Sequence, residues 1–305
     1  MNVLIIGYGS IAKKHIAALK KIDLIIEIWC LRFKSTNLID GIKNIYQFDE
    51  IPKNIDFAII SNPTNKHIAT IKELIPLKIP LFIEKPVAHN LDHLDEINLL
   101  LKKENIISYV ACVLRFHPCL QYVKKQLATN SERINEVNIY SGSYLPDWRP
   151  TIDYRTNYST QTKMGGGVHL DLFHEIDYTF WIFGNPLSLT SNLDSKSSLK
   201  IDSFDAANYL FKYEDFNVNM VLNYFRKIPK RKMEIVFSDK LWEIDLINGV
   251  IIENEKKELF KSELSIIDLY KIQLEYFINQ LEQKIDTENN FEASAKILKH
   301  CLRHE

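Results

Sequence analysis

A glycine-bearing turn near the start of the chain limits the possible folds more than any other feature. The apolar run 3–6 leads into Gly7-Tyr8-Gly9-Ser10-Ile11-Ala12, which opens a helical pattern over residues 10–20. Glycines between a strand and a helix let the backbone approach a pyrophosphate. The helix N-terminus that follows offers it unpaired N–H groups and a partial positive charge. Such a turn requires a second parallel strand soon afterwards, and residues 25–30 supply one at the expected distance. A strand that binds the ribose of NAD ends in Asp or Glu. This one ends Cys30-Leu31-Arg32-Phe33-Lys34-Ser35, with cations and a hydroxyl suited to a 2′-phosphate, which favours NADP over NAD.

The pattern continues with short apolar runs at 57–61, 81–83 and 107–111, alternating with helical patterns over 66–74 and 92–104. Strands alternating with helices read as βαβ units and a doubly wound parallel sheet, apolar on consecutive residues because both faces are covered. In the first helix His15, Ala18 and Leu19 form a buried stripe opposite Lys13, Lys14, Lys20 and Lys21. Ser61-Asn62-Pro63-Thr64 closes a βα junction at the carboxyl edge, where such sheets bind ligands. A helix start capped by Thr64 or Asn65 is compatible with cofactor contact there, and His67 on the first turn reads as structural.

Glu84-Lys85-Pro86 follows the run 81–83. The proline fixes a turn that aims Lys85 into the cleft where a nicotinamide ring emerges. Near that positive ring and partly desolvated, a lysine is tuned towards general acid–base work. The bland alternative is a surface ion pair between Glu84 and Lys85. Together with the glycine turn, Lys85 points to hydride transfer.

Beyond Arg115 the texture changes to alternating strands, 137–143, 207–213, 217–225, 232–238 and 241–245, which argue for an antiparallel sheet with one face covered. The expected division is a dinucleotide-binding domain at 1–115 and a second α/β domain at 116–305, with helices over 168–183, 266–283 and 292–304. Lys and Arg number 38 against 39 Asp and Glu, so no overall basic field marks a nucleic-acid binder, and a small-molecule substrate is expected. No apolar run reaches the ~18 residues of a membrane span. The chain enters its first strand directly, and its four cysteines are scattered without CxxC spacing. A cytoplasmic protein without structural zinc is expected.

The third constellation is Gly165-Gly166-Gly167-Val168-His169-Leu170-Asp171-Leu172-Phe173-His174. Three glycines permit close approach to a ligand, and a helix would set Asp171 and His174 on one face as a carboxylate-oriented proton shuttle. His169, Asp171 and His174 also read as possible metal ligands, but no further set accompanies them and no metal is expected.

The Gly7 turn, Glu84-Lys85-Pro86, Arg115-Phe116-His117-Pro118 and the segment 165–177 together resemble the Gfo/Idh/MocA oxidoreductases, the glucose-fructose oxidoreductase and inositol dehydrogenase family. The resemblance implies an N-terminal Rossmann domain and a C-terminal α/β domain. The large, mostly antiparallel open sheet of the latter often serves as an oligomer interface, so a homodimer or homotetramer is expected. A substrate cleft between the two domains is implied as well. Position by position, Lys85 is the catalytic lysine, Asp171 and His174 are the active-site aspartate and histidine, and Glu84, Pro86 and Arg115 join the cofactor-binding set. The family commonly spaces its Asp and His four apart, against three here, and Val113 stands where it often has asparagine.

The segment Ser141-Gly142-Ser143-Tyr144-Leu145-Pro146-Asp147-Trp148-Arg149-Pro150, with Asp153-Tyr154-Arg155 after it, resembles a subset associated with bacterial surface-glycan sugars. Arg149 and Arg155 suit a phosphate or carboxylate, and Trp148 or Tyr154 a sugar face or base. The expected activity is therefore an NAD(P)-dependent sugar dehydrogenase acting on a phosphorylated or nucleotide-linked sugar. Two other readings share the fold: a non-catalytic dinucleotide or sugar sensor, and an NAD-dependent glycoside hydrolase.

Overall fold

The computed structural model describes residues 1–22, 25–32, 41–129 and 132–302. Its strands are β1 (Asn2–Ile6), β2 (Glu27–Leu31), β3 (Lys43–Ile45), β4 (Phe57–Ile60), β5 (Leu81–Glu84), β6 (Ser108–Ala111), β7 (Ile134–Tyr144), β8 (Ser188–Asp194), β9 (Ala206–Lys212), β10 (Asn217–Asn223), β11 (Phe225–Phe237), β12 (Leu241–Asp245), β13 (Val250–Glu253) and β14 (Lys257–Lys261). The helices are α1 (Ser10–Leu19), α2 (His67–Leu74), α3 (Leu94–Lys103), α4 (Pro118–Leu127), α5 (Val168–Asp171), α6 (Phe173–Phe183), α7 (Ile266–Gln283) and α8 (Phe291–Cys301).

The chain divides into two compact units, Met1–Val113 with Ser265–Leu298, and Leu114–Leu264 with the residues from Lys299. The first holds a six-stranded sheet in the order β3-β2-β1-β4-β5-β6, every pairing parallel. This is the doubly wound order, with its switch point between β1 and β4. Residues 3–6 and 57–60 are fully buried, as strands covered on both faces must be. On α1, His15, Ala18 and Leu19 are buried and Lys13 and Lys20 exposed, the stripe expected from the sequence.

The first unit also takes in residues 265–298, which a linear division at 115 assigns to the second. The physical reason lies on α7. Its Phe277 ring meets Phe57 at 5.3 Å and Phe82 at 5.4 Å, and burial of Leu274 and Phe277 contributes about 1.5–3 kcal/mol each. A capping box between Ser265 and Asp268 starts the helix, and Lys21 on α1 pairs with Asp268 at 2.8 Å. Beyond α7, Asn289 O accepts from the Val110 N–H and its side chain donates to Val110 O, which closes the exposed edge of β6.

The second unit is built on an eight-stranded sheet, β14-β13-β12-β11-β7-β10-β9-β8. It is antiparallel except where β10 runs parallel to β7. On β10 the buried Val218, Met220 and Leu222 alternate with exposed Asn217, Asn219 and Val221, so one face is covered. Residues 168–183, expected as one helix, form two. Leu172 departs from helical geometry at φ −97° and ψ 30°, so Asp171 closes α5 and His174 lies in the first turn of α6. Among the described residues no helix is long and apolar enough to cross a membrane.

Candidate active site

Parallel pairing brings the strand ends of the first unit level. Ile6 lies opposite Leu31 and Ile60, and Ile60 opposite Ile83. Gly7, Arg32, Ser61 and the Glu84-Lys85-Pro86 turn therefore share one carboxyl edge, at the switch point where such sheets bind ligands. Gly7 has φ +91°, and a Cβ there would lie 3.1 Å from the Asn62 backbone, so only glycine lets the two βα turns pack. Gly9 is the N-cap of α1 and makes no side-chain cap, and a Cβ on it would meet nothing within 4 Å. Ser10 and Ile11 then open the helix above the buried Ala12. The geometry fits a dinucleotide pyrophosphate: uncapped N–H groups, a favourable dipole and no obstructing side chain.

Around this edge the turns are braced by hydrogen bonds. Ser61 donates its N–H and hydroxyl to Ile6 O at 3.1 and 3.0 Å, and Asn62 Nδ2 donates to Thr70 Oγ1 at 2.7 Å. Pro63 and Thr64 lead into a 3-10 turn, and the residue that precedes α2 is Lys66, without a side-chain cap, in place of the expected Thr64 or Asn65. Buried His67 spans two carbonyls, Nδ1 at 3.1 Å from Pro86 O and Nε2 at 3.0 Å from Asn62 O. Burial pushes its pKa down while those carbonyls and Glu84 oppose the shift. His67 thus ties the turn after β4 to the turn after β5.

Arg32 Nη1 donates to Asn44 Oδ1 at 3.0 Å, and its guanidinium lies 5.2 Å from the Tyr8 ring centre, with Lys13 Nζ at 5.4 Å from the same ring. The middle residue of the glycine turn therefore carries two cations beside the end of β2. Lys34 and Ser35 lie outside the described residues.

The Lys85-Pro86 peptide is cis. Glu84 is buried; its Oε1 lies 2.6 Å from Nε2 of fully buried His15, and its Oε2 accepts from the Lys85 N–H at 3.3 Å. The His15 ring packs edge-on against Phe82 and Tyr270, at 5.1 and 4.9 Å. Glu84 thereby anchors the lysine-bearing strand end to the helix that starts at the glycine turn.

In the second unit Asp171 is the centre of a polar cluster. Tyr158 donates its hydroxyl to Oδ1 at 3.1 Å and Tyr224 to Oδ2 at 2.6 Å. Trp148 meets the Tyr224 ring edge-on at 5.4 Å and donates Nε1–H to Ser143 Oγ at 2.8 Å. Arg149 lies 5.5 Å from the Tyr158 ring and donates to Asn157 Oδ1 at 2.5 Å. Trp148 and Arg149 are thus gathered around Asp171, whereas Tyr154 donates to Leu199 O at 3.1 Å and Arg155 lies over the Tyr154 ring, 3.7 Å from Asp153. Before α5, Gly166 serves the protein's own backbone and seats the Tyr158 turn: a Cβ on it would lie 2.3 Å from Tyr158 O.

Arg115 also belongs to the second unit. Its Nε and Nη2 form a bidentate pair with Asp177, both bonds 2.8 Å, and its backbone carbonyl accepts from Gln121. His117 Nδ1 accepts from the Cys119 N–H and caps α4, with Pro118 at its first position. Burial lowers the His117 pKa to about 4, so the ring stays neutral and keeps this acceptor. Burial pushes the thiols of Cys30 up to about 11 and of Cys119 and Cys301 up to about 12, which leaves no thiolate nucleophile among the three.

Residues 1–112 match the model of an oxidoreductase family with an NAD-binding Rossmann fold, Gfo/Idh/MocA. The match covers this N-terminal region, which is similar to that family's NAD-binding domain. An uncharacterised oxidoreductase of Bacillus subtilis, YrbE, is 28% identical over 193 residues, 60% of this chain and 54% of the relative. The chain spans about half the length of the curated relatives it matches. UDP-N-acetylglucosamine 3-dehydrogenase GnnA from Acidithiobacillus ferrooxidans has the same fold at a TM-score of 0.79 and 15% identity, with 100% of this chain and 96% of the other covered. A levoglucosan dehydrogenase in complex with NADH reaches 0.82 at 14% identity, with 97% and 94% covered.

Four participants lacked a usable sequence signal. Tyr158 and Tyr224 read as ordinary loop and strand aromatics, Asp177 as the polar face of a helix, and His15 as part of a buried stripe. Tyr8 could have been read from its place between two glycines, beside the cation that follows β2.

Proposed function

We propose that this protein is an NAD(P)-dependent oxidoreductase that moves a hydride between nicotinamide and a hydroxyl or keto carbon of a sugar. The observation that carries this reading is the register of the six-stranded sheet, which sets the uncapped start of α1 and the Lys85 turn on one carboxyl edge. When bound, the nicotinamide cofactor supplies the hydride acceptor or donor. The N–H groups at the start of α1 would hold its pyrophosphate, with Gly7, Gly9, Ser61 to Thr64 and Pro86 shaping the surrounding turns. The Arg32–Tyr8 stack supports NADP over NAD through charge attraction to a 2′-phosphate.

Lys85 and His174 are the proton-handling groups: one takes the hydroxyl proton as the carbon loses hydride, or returns it in reduction. Asp171 accepts a hydrogen bond from the substrate and orients it. Trp148, Arg149, Tyr154 and Arg155 contact a phosphorylated or nucleotide-linked sugar of the kind used in bacterial surface glycans. The dehydrogenase names of similar structures, UDP-N-acetylglucosamine 3-dehydrogenase and levoglucosan dehydrogenase, support a sugar substrate. A homodimer or homotetramer completes the reading.

The test is absorbance at the reduced-nicotinamide band with NADP and NAD in parallel, against phosphorylated hexoses, UDP- and CMP-sugars, nonulosonates and inositols. Turnover with one sugar, faster with NADP, is expected. Silence across the panel with cofactor binding intact would contradict the dehydrogenase reading and favour a sensor or a hydrolase.

A further inference from the structure

Asp171 is held from both sides. Tyr224 Oη donates to Oδ2 at 2.6 Å and Tyr158 Oη to Oδ1 at 3.1 Å. Each phenol is kept from ionising. For Tyr158 the negative charge of Asp171 is the main cause and burial the second; for Tyr224 burial comes first and Asp171 next. Both hydroxyls therefore remain donors at any working pH, and a carboxylate between two fixed donors has a fixed plane.

The tyrosines are themselves anchored by backbone and packing. Tyr224 is fully buried, its N–H donates to Asp205 O at 3.0 Å, and its carbonyl accepts from Leu145 N–H at 2.8 Å. Tyr158 begins a 3-10 turn whose N-cap, Asn157, accepts from Ser159 N–H and from Arg149 on the same side-chain oxygen. The close approach of Gly166 to Tyr158 O fixes that turn from the other side. Trp148 and Arg149, consecutive in sequence, buttress the two rings separately, Trp148 at Tyr224 and Arg149 at Tyr158.

We propose that Tyr158 and Tyr224 are positioning residues that aim the Asp171 carboxylate at the sugar, with Trp148 and Arg149 as their supports. The proposal rests on the reading of Asp171 as a substrate-contacting group. Positioning through two hydroxyls has a specific consequence. Removal of either should slow the chemical step while the rings, the pocket shape and ground-state binding persist.

The experiment compares Tyr158→Phe, Tyr224→Phe, Asp171→Asn and the two double variants, each with kcat and KM for the active sugar and with cofactor affinity measured separately. Each phenylalanine variant should lose about 10- to 100-fold in kcat, the scale of a misplaced catalytic contact, with KM changed less than about threefold. In the Asp171→Asn background the same substitutions should cost less than about twofold, because groups acting through one residue are not additive. Wild-type kcat in both phenylalanine variants overturns the proposal. So does a loss that multiplies with that of Asp171→Asn, since the tyrosines would then act independently. Wild-type kcat in Asp171→Asn contradicts instead the assignment of Asp171 on which the proposal rests. If Tyr224→Phe fails to fold, the Tyr158→Phe pair decides by the same criteria.

Discussion

The two polar centres of this protein are assembled in opposite ways. In the six-stranded sheet the functional groups stand directly after strand ends, and parallel register brings them level, so Gly7, Ser61 and Lys85 share an edge by virtue of their places in three βαβ units. Around Asp171 the partners come from a loop 13 residues away and from a residue 53 away, between two strands, and no regular element dictates that they meet. The first centre follows from a secondary-structure pattern; the second follows from tertiary packing. The glycines show the same contrast. Gly9 leaves space open, whereas Gly166 is required because the protein's own backbone fills the space beside it.

Substituting those two glycines is the sharpest way to break the comparison. Gly166→Ala forces a methyl to within 2.3 Å of a carbonyl oxygen, and a loss on the order of 4 kcal/mol in unfolding free energy is expected from denaturant melts. Gly9→Ala should leave stability within about 0.5 kcal/mol, as for sites free of contacts. It should nonetheless weaken dinucleotide binding in a titration, because its methyl would occupy the space offered to the pyrophosphate. Equal effects on stability would erase the distinction.

A smaller effect is expected from pH. The His117 pKa falls from 6.5 to about 4 on burial, so the unfolded chain binds the extra proton across that interval. Stability is complete above 6.5 and declines as pH falls towards 4, by about 3 kcal/mol at most. His117→Gln, which keeps a side-chain acceptor for the α4 cap, should flatten that slope in melts at pH 7, 5.5 and 4.5. An unchanged slope would assign the acid sensitivity to other groups.

The smallest effect concerns cofactor choice. Arg32→Ala should reduce the preference for NADP over NAD by about tenfold, near 1.4 kcal/mol, the scale of a charge-assisted contact. Unaltered relative affinities for the two cofactors would place the discrimination elsewhere.

Much of the first centre was legible in the sequence because strand, glycine turn and helix are local signals, and α7 was read with the same bounds, 266–283. The side of the molecule it covers was not, since an amphipathic stripe states that a helix is buried without naming the sheet beneath it. Strand β3 escaped because three residues carry no period. The break at Leu172 escaped because Val168, Leu172 and Ile176 keep helical spacing through it. In the second centre Asp171 was visible and its tyrosines were not, because an aromatic that donates its hydroxyl to a carboxylate looks in sequence like one that only packs. Arg115 was legible as a special residue, while its bidentate partner Asp177 emerged only from the packing of α6.

The central claim, that Lys85 handles a proton in hydride transfer, is tested most directly by Lys85→Ala, with turnover at the reduced-nicotinamide band and cofactor affinity measured on the same preparation. A fall in kcat of at least ~10²-fold with cofactor still bound is predicted from the scale of general acid–base catalysis. Near-wild-type turnover in that variant would contradict it.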